Sequence, residues 1–227
     1  MTAIRALIFD FNGVILNDEP IHNRNLQQVF MEDGVDLSMS EIQAKCHGRG
    51  DNECFVLLLQ EAGKEPAPDR VESLVARKSR KYKETILRDL PFVPGVEDFL
   101  ASWKGRLPLA LATGALPGEV EFVIENTRLG EYFDVMTTTV EAGASKPDPA
   151  VYRLTLDRLR KKCCPDLEPV ECLVFEDSAV GMQAALDAGM RCVGIATSGG
   201  YEELAGGDLV VDDFRSPQLH ELLESPV

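Results

Sequence analysis

Four short apolar runs constrain this chain more than any other feature: IRALIF at 4–9, LPLALA at 107–112, CLVF at 172–175 and CVGI at 192–195. Runs of this kind suit parallel strands whose two faces are both covered by helices, because neither side then has to face water. FDVM at 133–136 and LVV at 209–211 look like shorter members of the set. Between the runs the pattern becomes helical. Val120, Val123, Ile124 and Thr127 share one face at the 3.6-residue period, as do Ala179, Met182 and Leu186. From about residue 95 onward strand and helix alternate, which predicts a doubly wound, Rossmann-like α/β sheet.

Residues 17–90 break that rhythm. They hold no convincing strand and at least three helical patterns. Ser40 with Gln43 reads as a capping box, and Asp69 with Glu72 as a looser acidic version. Phe55, Leu58, Leu59 and Ala62 make an apolar stripe. The expectation is an α/β core of residues 1–16 and 91–227 carrying an inserted all-helical unit of residues 17–90, with PFVPG at 91–95 marking the return.

A chain of 227 residues is long enough for such a core plus insertion. Its formal charge of −15 argues against nucleic acid or an anionic membrane as partner, since both would be repelled. The six cysteines show no CxxC pairing and no histidine at zinc-ligand spacing, and Cys172 and Cys192 read as small core hydrophobes. No stretch resembles a secretion signal or a membrane span, so a reducing cytoplasm is expected; the sequence leaves the oligomeric state open, with a monomer favoured.

Open α/β sheets bind ligands at the carboxyl ends of their strands. Here the run from residue 4 ends at Asp10, the run from residue 107 at Thr113, and the run from residue 172 leads into Glu176 and Asp177. Lys146 lies in the loop SKPDP, ahead of a helix that leads to that last strand. Each has a plainer use. Asn12-Gly13 between apolar runs is a hairpin-turn signal, and Thr113 can cap a turn before Gly114. Asp177-Ser178 can cap a helix, and Lys146 can be a solvated loop residue. As a set they have one clear use, phosphoryl transfer through an aspartyl-phosphate. A carboxylate attacks phosphorus, a divalent cation on acidic oxygens screens the repulsion, and a hydroxyl and an ammonium hold the equatorial oxygens.

With DFNGV at 10–14, LATG at 111–114, SKPDP at 145–149 and FEDS at 175–178 in that order, the chain resembles the haloacid dehalogenase superfamily. Within it, the match is to the β-phosphoglucomutase-like and phosphoglycolate-phosphatase-like branch with a helical cap. NDEPIH at 17–22 is similar to the family's run after the first motif. The resemblance implies that Asp10 is the nucleophile and that Asp10, Asp177 and the main-chain carbonyl of Asn12 are Mg²⁺ ligands. Glu176 would bind the metal directly or through water. Thr113, Gly114 and Lys146 would hold the phosphoryl group. Gly48-Arg49 fits the family's substrate-specificity loop, where Arg49 is expected to bind a second anionic group, and His22 is a further expected substrate-binding residue.

Two departures from the family pattern matter. The residue two beyond the nucleophile is normally an aspartate that protonates the leaving oxygen and then activates water; here it is Asn12. After Thr113 the chain reads Gly-Ala-Leu-Pro, without the basic residues that mutases usually carry there. The expectation is a Mg²⁺-dependent phosphatase-type hydrolase acting on a small phosphorylated metabolite, slowed by Asn12. The alternatives are a non-catalytic binder of Mg²⁺ and a phospho-ligand, or a phosphosugar mutase, against which the second departure tells.

Overall fold

In the computed structural model, which describes residues 2–46, 49–88, 90–198 and 200–224, all six apolar runs contribute strands to one sheet. They are β1 (Ala6–Phe9), β2 (Leu109–Thr113), β3 (Val135–Thr138), β4 (Cys172–Glu176), β5 (Arg191–Ile195) and β6 (Leu209–Val211). β2 begins after Pro108, which has no N–H to give a ladder; its carbonyl instead accepts from Leu7 at 3.0 Å. The strand order is β3-β2-β1-β4-β5-β6 and every pairing is parallel. The winding reverses at β1, flanked by β2 and β4, so a topological switch point opens at its carboxyl end.

The chain divides into two compact units, Met1–Asn17 with Pro91–Val227, and Asp18–Leu90. The second is all helical among its described residues: α1 (Glu19–Glu32), α2 (Met39–Cys46), α3 (Asp51–Glu61) and α4 (Pro68–Ile86). Phe30, Phe55, Leu58, Leu59 and Leu74 are among its core residues. Two cap assignments differ from expectation. The reciprocal capping bonds before α2 join Ser38 and Glu41, not Ser40 and Gln43. α4 starts at Pro68 behind Ala67 with no side-chain cap, its proline occupying a first-turn position that needs no donor.

The first unit adds α5 (Val96–Trp103), α6 (Pro117–Glu125), α7 (Thr139–Ala142), α8 (Ala150–Lys162), α9 (Ala179–Asp187) and α10 (Pro217–Glu224). Side-chain alternation splits its core in two. Ala6, Ile8, Ala110 and Ala112 pack with Val151, Tyr152 and Leu159 of α8 and with Met182 and Ala185 of α9. On the other face Phe9 stacks on Phe175 at 4.7 Å and meets Phe99 of α5 edge-on at 6.2 Å. Cys172 and Cys192 are buried, and all six thiols are free. No described helix is long and apolar enough to cross a membrane.

Candidate active site

Asp10 follows β1 directly, and its N–H donates to the Phe175 carbonyl at 3.0 Å, extending the β1–β4 ladder by one residue. The chain then turns tightly rather than forming the hairpin that Asn12-Gly13 suggests. Ile15 and Leu16 N–H both reach the Phe11 carbonyl, and Gly13 N–H donates to the Leu16 carbonyl at 2.6 Å. Gly13 has φ +74°, and a Cβ there would lie 1.8 Å from Asp177 Oδ2. Only glycine tolerates both that dihedral and that approach.

Lys146 is not a solvated loop residue. Its ammonium donates to Glu176 Oε1 at 2.6 Å and to the Ala112 carbonyl at 3.3 Å, and lies 3.0 Å from Asp10 Oδ1. Glu176 is wholly buried at the end of β4 and also accepts from the Tyr152 hydroxyl. A Cβ on Gly181 would sit 2.1 Å from Glu176 Oε2, so this glycine in the first turn of α9 makes room for the carboxylate. The helix cap falls to Ser178, whose hydroxyl accepts from Gly181 N–H at 3.2 Å. Asp177 is thereby left to the site. Thr113, at the end of β2, is buried and accepts from Ala115 N–H at 3.0 Å, so its capping role is real. That bond uses a lone pair and leaves the hydroxyl proton available to donate. Gly114 is exposed beside it.

Asp10, Glu176 and Asp177 each bring a carboxylate oxygen within 4.8 Å of the others. Three carboxylates thus converge, two of them in contact with the Lys146 ammonium. Burial raises the pKa of Glu176; Lys146 offsets part of that rise and Asp10 adds to it. Burial, reinforced by the charges on Glu176 and Asp10, raises Asp177 well above the ordinary carboxylate value. Burial alone would lower Lys146, but the neighbouring Asp10 and Glu176 outweigh it and hold the ammonium charged. Asp10 Oδ1, although an ion-pair contact of Lys146, has no hydrogen-bond partner in a buried position. Three converging carboxylates set against one ammonium fit a hard divalent cation such as Mg²⁺.

The remaining expected residues belong to the helical unit. Arg49 is exposed, its N–H bonded to the Cys46 carbonyl, and Gly48 lies outside the described residues. His22 sits within a buried polar chain that sequence reading missed. Its Nε2 is 3.2 Å from Asp18 Oδ2, which also accepts from Tyr82 at 2.6 Å; its Nδ1 contacts Lys78, whose ammonium donates to Asp51 at 2.7 Å. An ammonium is only a donor, so Nδ1 accepts and Nε2 carries the proton toward Asp18. A signal for Lys78 was present: it stands on the apolar stripe Val71, Leu74, Tyr82, Ile86 of α4. Tyr152, likewise missed, lies on the buried face of α8 with Val151, Leu156 and Leu159.

Residues 4–189 match the model of the haloacid dehalogenase-like hydrolases, and the chain belongs to that family. It is an enzyme of the phosphatase type of hydrolase. CbbY of Rhodobacter capsulatus is 30% identical over 95% of this chain and 94% of its own length. Fructose-1-phosphate phosphatase YqaB of Escherichia coli is 30% identical over 84% of this chain and 95% of its own. A crystal structure of CbbY from Rhodobacter sphaeroides in complex with phosphate superposes with a TM-score of 0.81 at 28% identity, covering 93% of this chain and 95% of that one.

Proposed function

We propose that the chain is a Mg²⁺-dependent phosphatase of small phosphorylated metabolites, sugar phosphates foremost, working through an aspartyl-phosphate on Asp10 and slowed by Asn12. One observation carries the reading: three carboxylates converge at the switch point with a single ammonium, Lys146, in contact with two of them. The names of the relatives, a fructose-1-phosphate phosphatase among them, support the substrate class.

Bound Mg²⁺, held by Asp10, Asp177 and the Asn12 carbonyl with Glu176 in support, would supply charge screening between the nucleophile and the phosphate. The chain's own groups do the rest. Asp10 attacks phosphorus as the ester P–O bond breaks. Lys146 and the Thr113 hydroxyl hold the phosphoryl oxygens, with Lys146 already drawn up beside Asp10. The departing alkoxide must take its proton from water, because the Asn12 amide cannot donate one as a carboxylic acid does. Water then attacks the phosphoenzyme unaided, releasing phosphate and restoring the Asp10 carboxylate. Good leaving groups, such as aryl or acyl phosphates, suffer least. Arg49 is proposed to bind a second anionic group of the substrate. The uncharged loop Gly114 to Pro117 favours hydrolysis over a mutase reaction.

Asn12 also favours a second reading, a non-catalytic binder of Mg²⁺ and a phospho-ligand. Turnover of sugar, aryl and acyl phosphates by the parent and by Asn12→Asp separates the two. A slowed phosphatase should gain roughly 10²- to 10⁴-fold, the range for one general acid/base, and most on alkyl esters. Mass spectrometry at Asn12 must exclude a deamidated fraction in the parent. A folded, Mg²⁺-binding Asn12→Asp protein with no gain on any ester would leave the binder.

A further inference from the structure

We infer that Tyr152 is the positioning residue of this site, a single side chain that sets both Lys146 and Glu176. The inference deepens the reading of Lys146 as the phosphoryl-binding ammonium and rests on it. Tyr152 is fully buried in α8 among aliphatic neighbours. Its hydroxyl donates to Glu176 Oε1, the oxygen that also accepts from Lys146 at 2.6 Å. Its ring face carries the same ammonium, with Lys146 Nζ 5.2 Å from the centroid.

Packing alone does not call for a tyrosine here. Phenylalanine would fill nearly the same volume without burying a hydroxyl, whose transfer from water costs free energy unless it is bonded. The hydroxyl is bonded, and to a carboxylate that already has a salt-bridge partner. The second bond is therefore surplus to charge neutralisation, and what it adds is direction: it fixes the rotation of the Glu176 carboxylate. The ring does the equivalent for Lys146, a long flexible side chain arriving from a loop, by offering its ammonium an electrostatic seat. With both partners held, the ammonium bonds Glu176 at 2.6 Å and still reaches Asp10 Oδ1 at 3.0 Å.

Two substitutions separate these contacts. Tyr152→Phe deletes the hydroxyl and keeps the face, while Tyr152→Leu deletes both. Mg²⁺ affinity is read by calorimetry with the metal alone, and phosphoryl-site affinity by inhibition with inorganic phosphate. Tyr152→Phe should weaken Mg²⁺ binding by about tenfold, the lower end for loss of an outer partner of a metal-binding carboxylate, with phosphate inhibition unchanged. Tyr152→Leu should weaken phosphate inhibition as well, by about threefold or more for a lost cation–π contact. A merely structural tyrosine would lower the melting temperature and leave both constants of the folded protein at parent values. Parent-like Mg²⁺ binding in folded Tyr152→Phe overturns the proposal, and this near-isosteric variant decides it even if Tyr152→Leu does not fold. Lys146→Met is the control. If it too leaves phosphate inhibition unchanged, the underlying reading of Lys146 has failed, not only the role of Tyr152.

Discussion

Each unit of this protein buries a chain of charged side chains, and the two are wired differently. In the helical unit Asp51, Lys78, His22, Asp18 and Tyr82 form a sequence in which donors and acceptors alternate, with a neutral imidazole between the ammonium and the far carboxylate. In the α/β unit Asp10, Glu176 and Asp177 crowd within 4.8 Å of one another, and the Lys146 ammonium contacts Asp10 and Glu176. In the first, each carboxylate accepts from a donor of the chain. The second is short of positive charge, and a buried shortage persists only where something outside the chain makes it good. The crowding of carboxylates, more than burial, distinguishes the candidate site.

The largest expected effect tests that contrast directly. Asp10→Ala should abolish phosphatase turnover while its melting temperature in EDTA stays at or above the parent's, since it deletes one of the surplus charges along with the nucleophile. Surviving turnover, in a preparation free of contaminating phosphatase, would remove Asp10 from its role. Lys78→Met should do the reverse. It breaks a buried pair in the helical unit, an effect of about 3–5 kcal/mol on stability, and added Mg²⁺ should not recover the loss. Chemical denaturation with and without Mg²⁺ measures both. Equal recovery by Mg²⁺ in Lys78→Met and the parent's own α/β site variants would erase the distinction.

A smaller effect follows from pH. In the metal-free fold, burial and the charges of Glu176 and Asp10 raise the Asp177 pKa well above its ordinary value. Above the unfolded carboxylate pKa, the folded chain therefore holds a proton that the unfolded chain has released. Asp177 thus lowers stability progressively as pH rises through that window. Asp177→Asn in EDTA should gain on the parent as pH rises above the ordinary carboxylate range, about pH 4, and melts of the two proteins that stay parallel with rising pH would contradict the charge-shortage account. Arg49→Ala should have the smallest effect, raising KM more than it lowers kcat if the side chain grips a remote anionic group equally in ground and transition states. A kcat loss alone would place Arg49 at the reacting phosphoryl group.

Much of this architecture was legible locally. The six apolar runs became the six strands, because an uninterrupted apolar run of that length has few other places to be buried. The loss of strand signals after residue 17 located the helical insertion, and the residues at the strand ends named the candidate site. Local signals failed where two solutions lay a few residues apart. Ser38 and Ser40 can each cap α2, and only the reach of Glu41 chose the first. Asn12-Gly13 does turn, but the left-handed glycine answers the approach of Asp177, a residue 164 positions away, which no hairpin rule contains.

The sequence by itself determined the strands, the insertion and the presence of an aspartate, a threonine, a lysine and an acidic pair at positions able to meet. Only the tertiary structure decided that they do. The order of the sheet sets β1 between β2 and β4, and that brings Asp10, Ala112 and Glu176 around one ammonium. It also decided that Tyr152 and Lys78, which read as ordinary helix residues, would be buried against charges. The reason is physical. Apolar period and turn chemistry act over a few residues, whereas the free energy of a charge depends on every group that replaces its water, wherever in the chain that group lies.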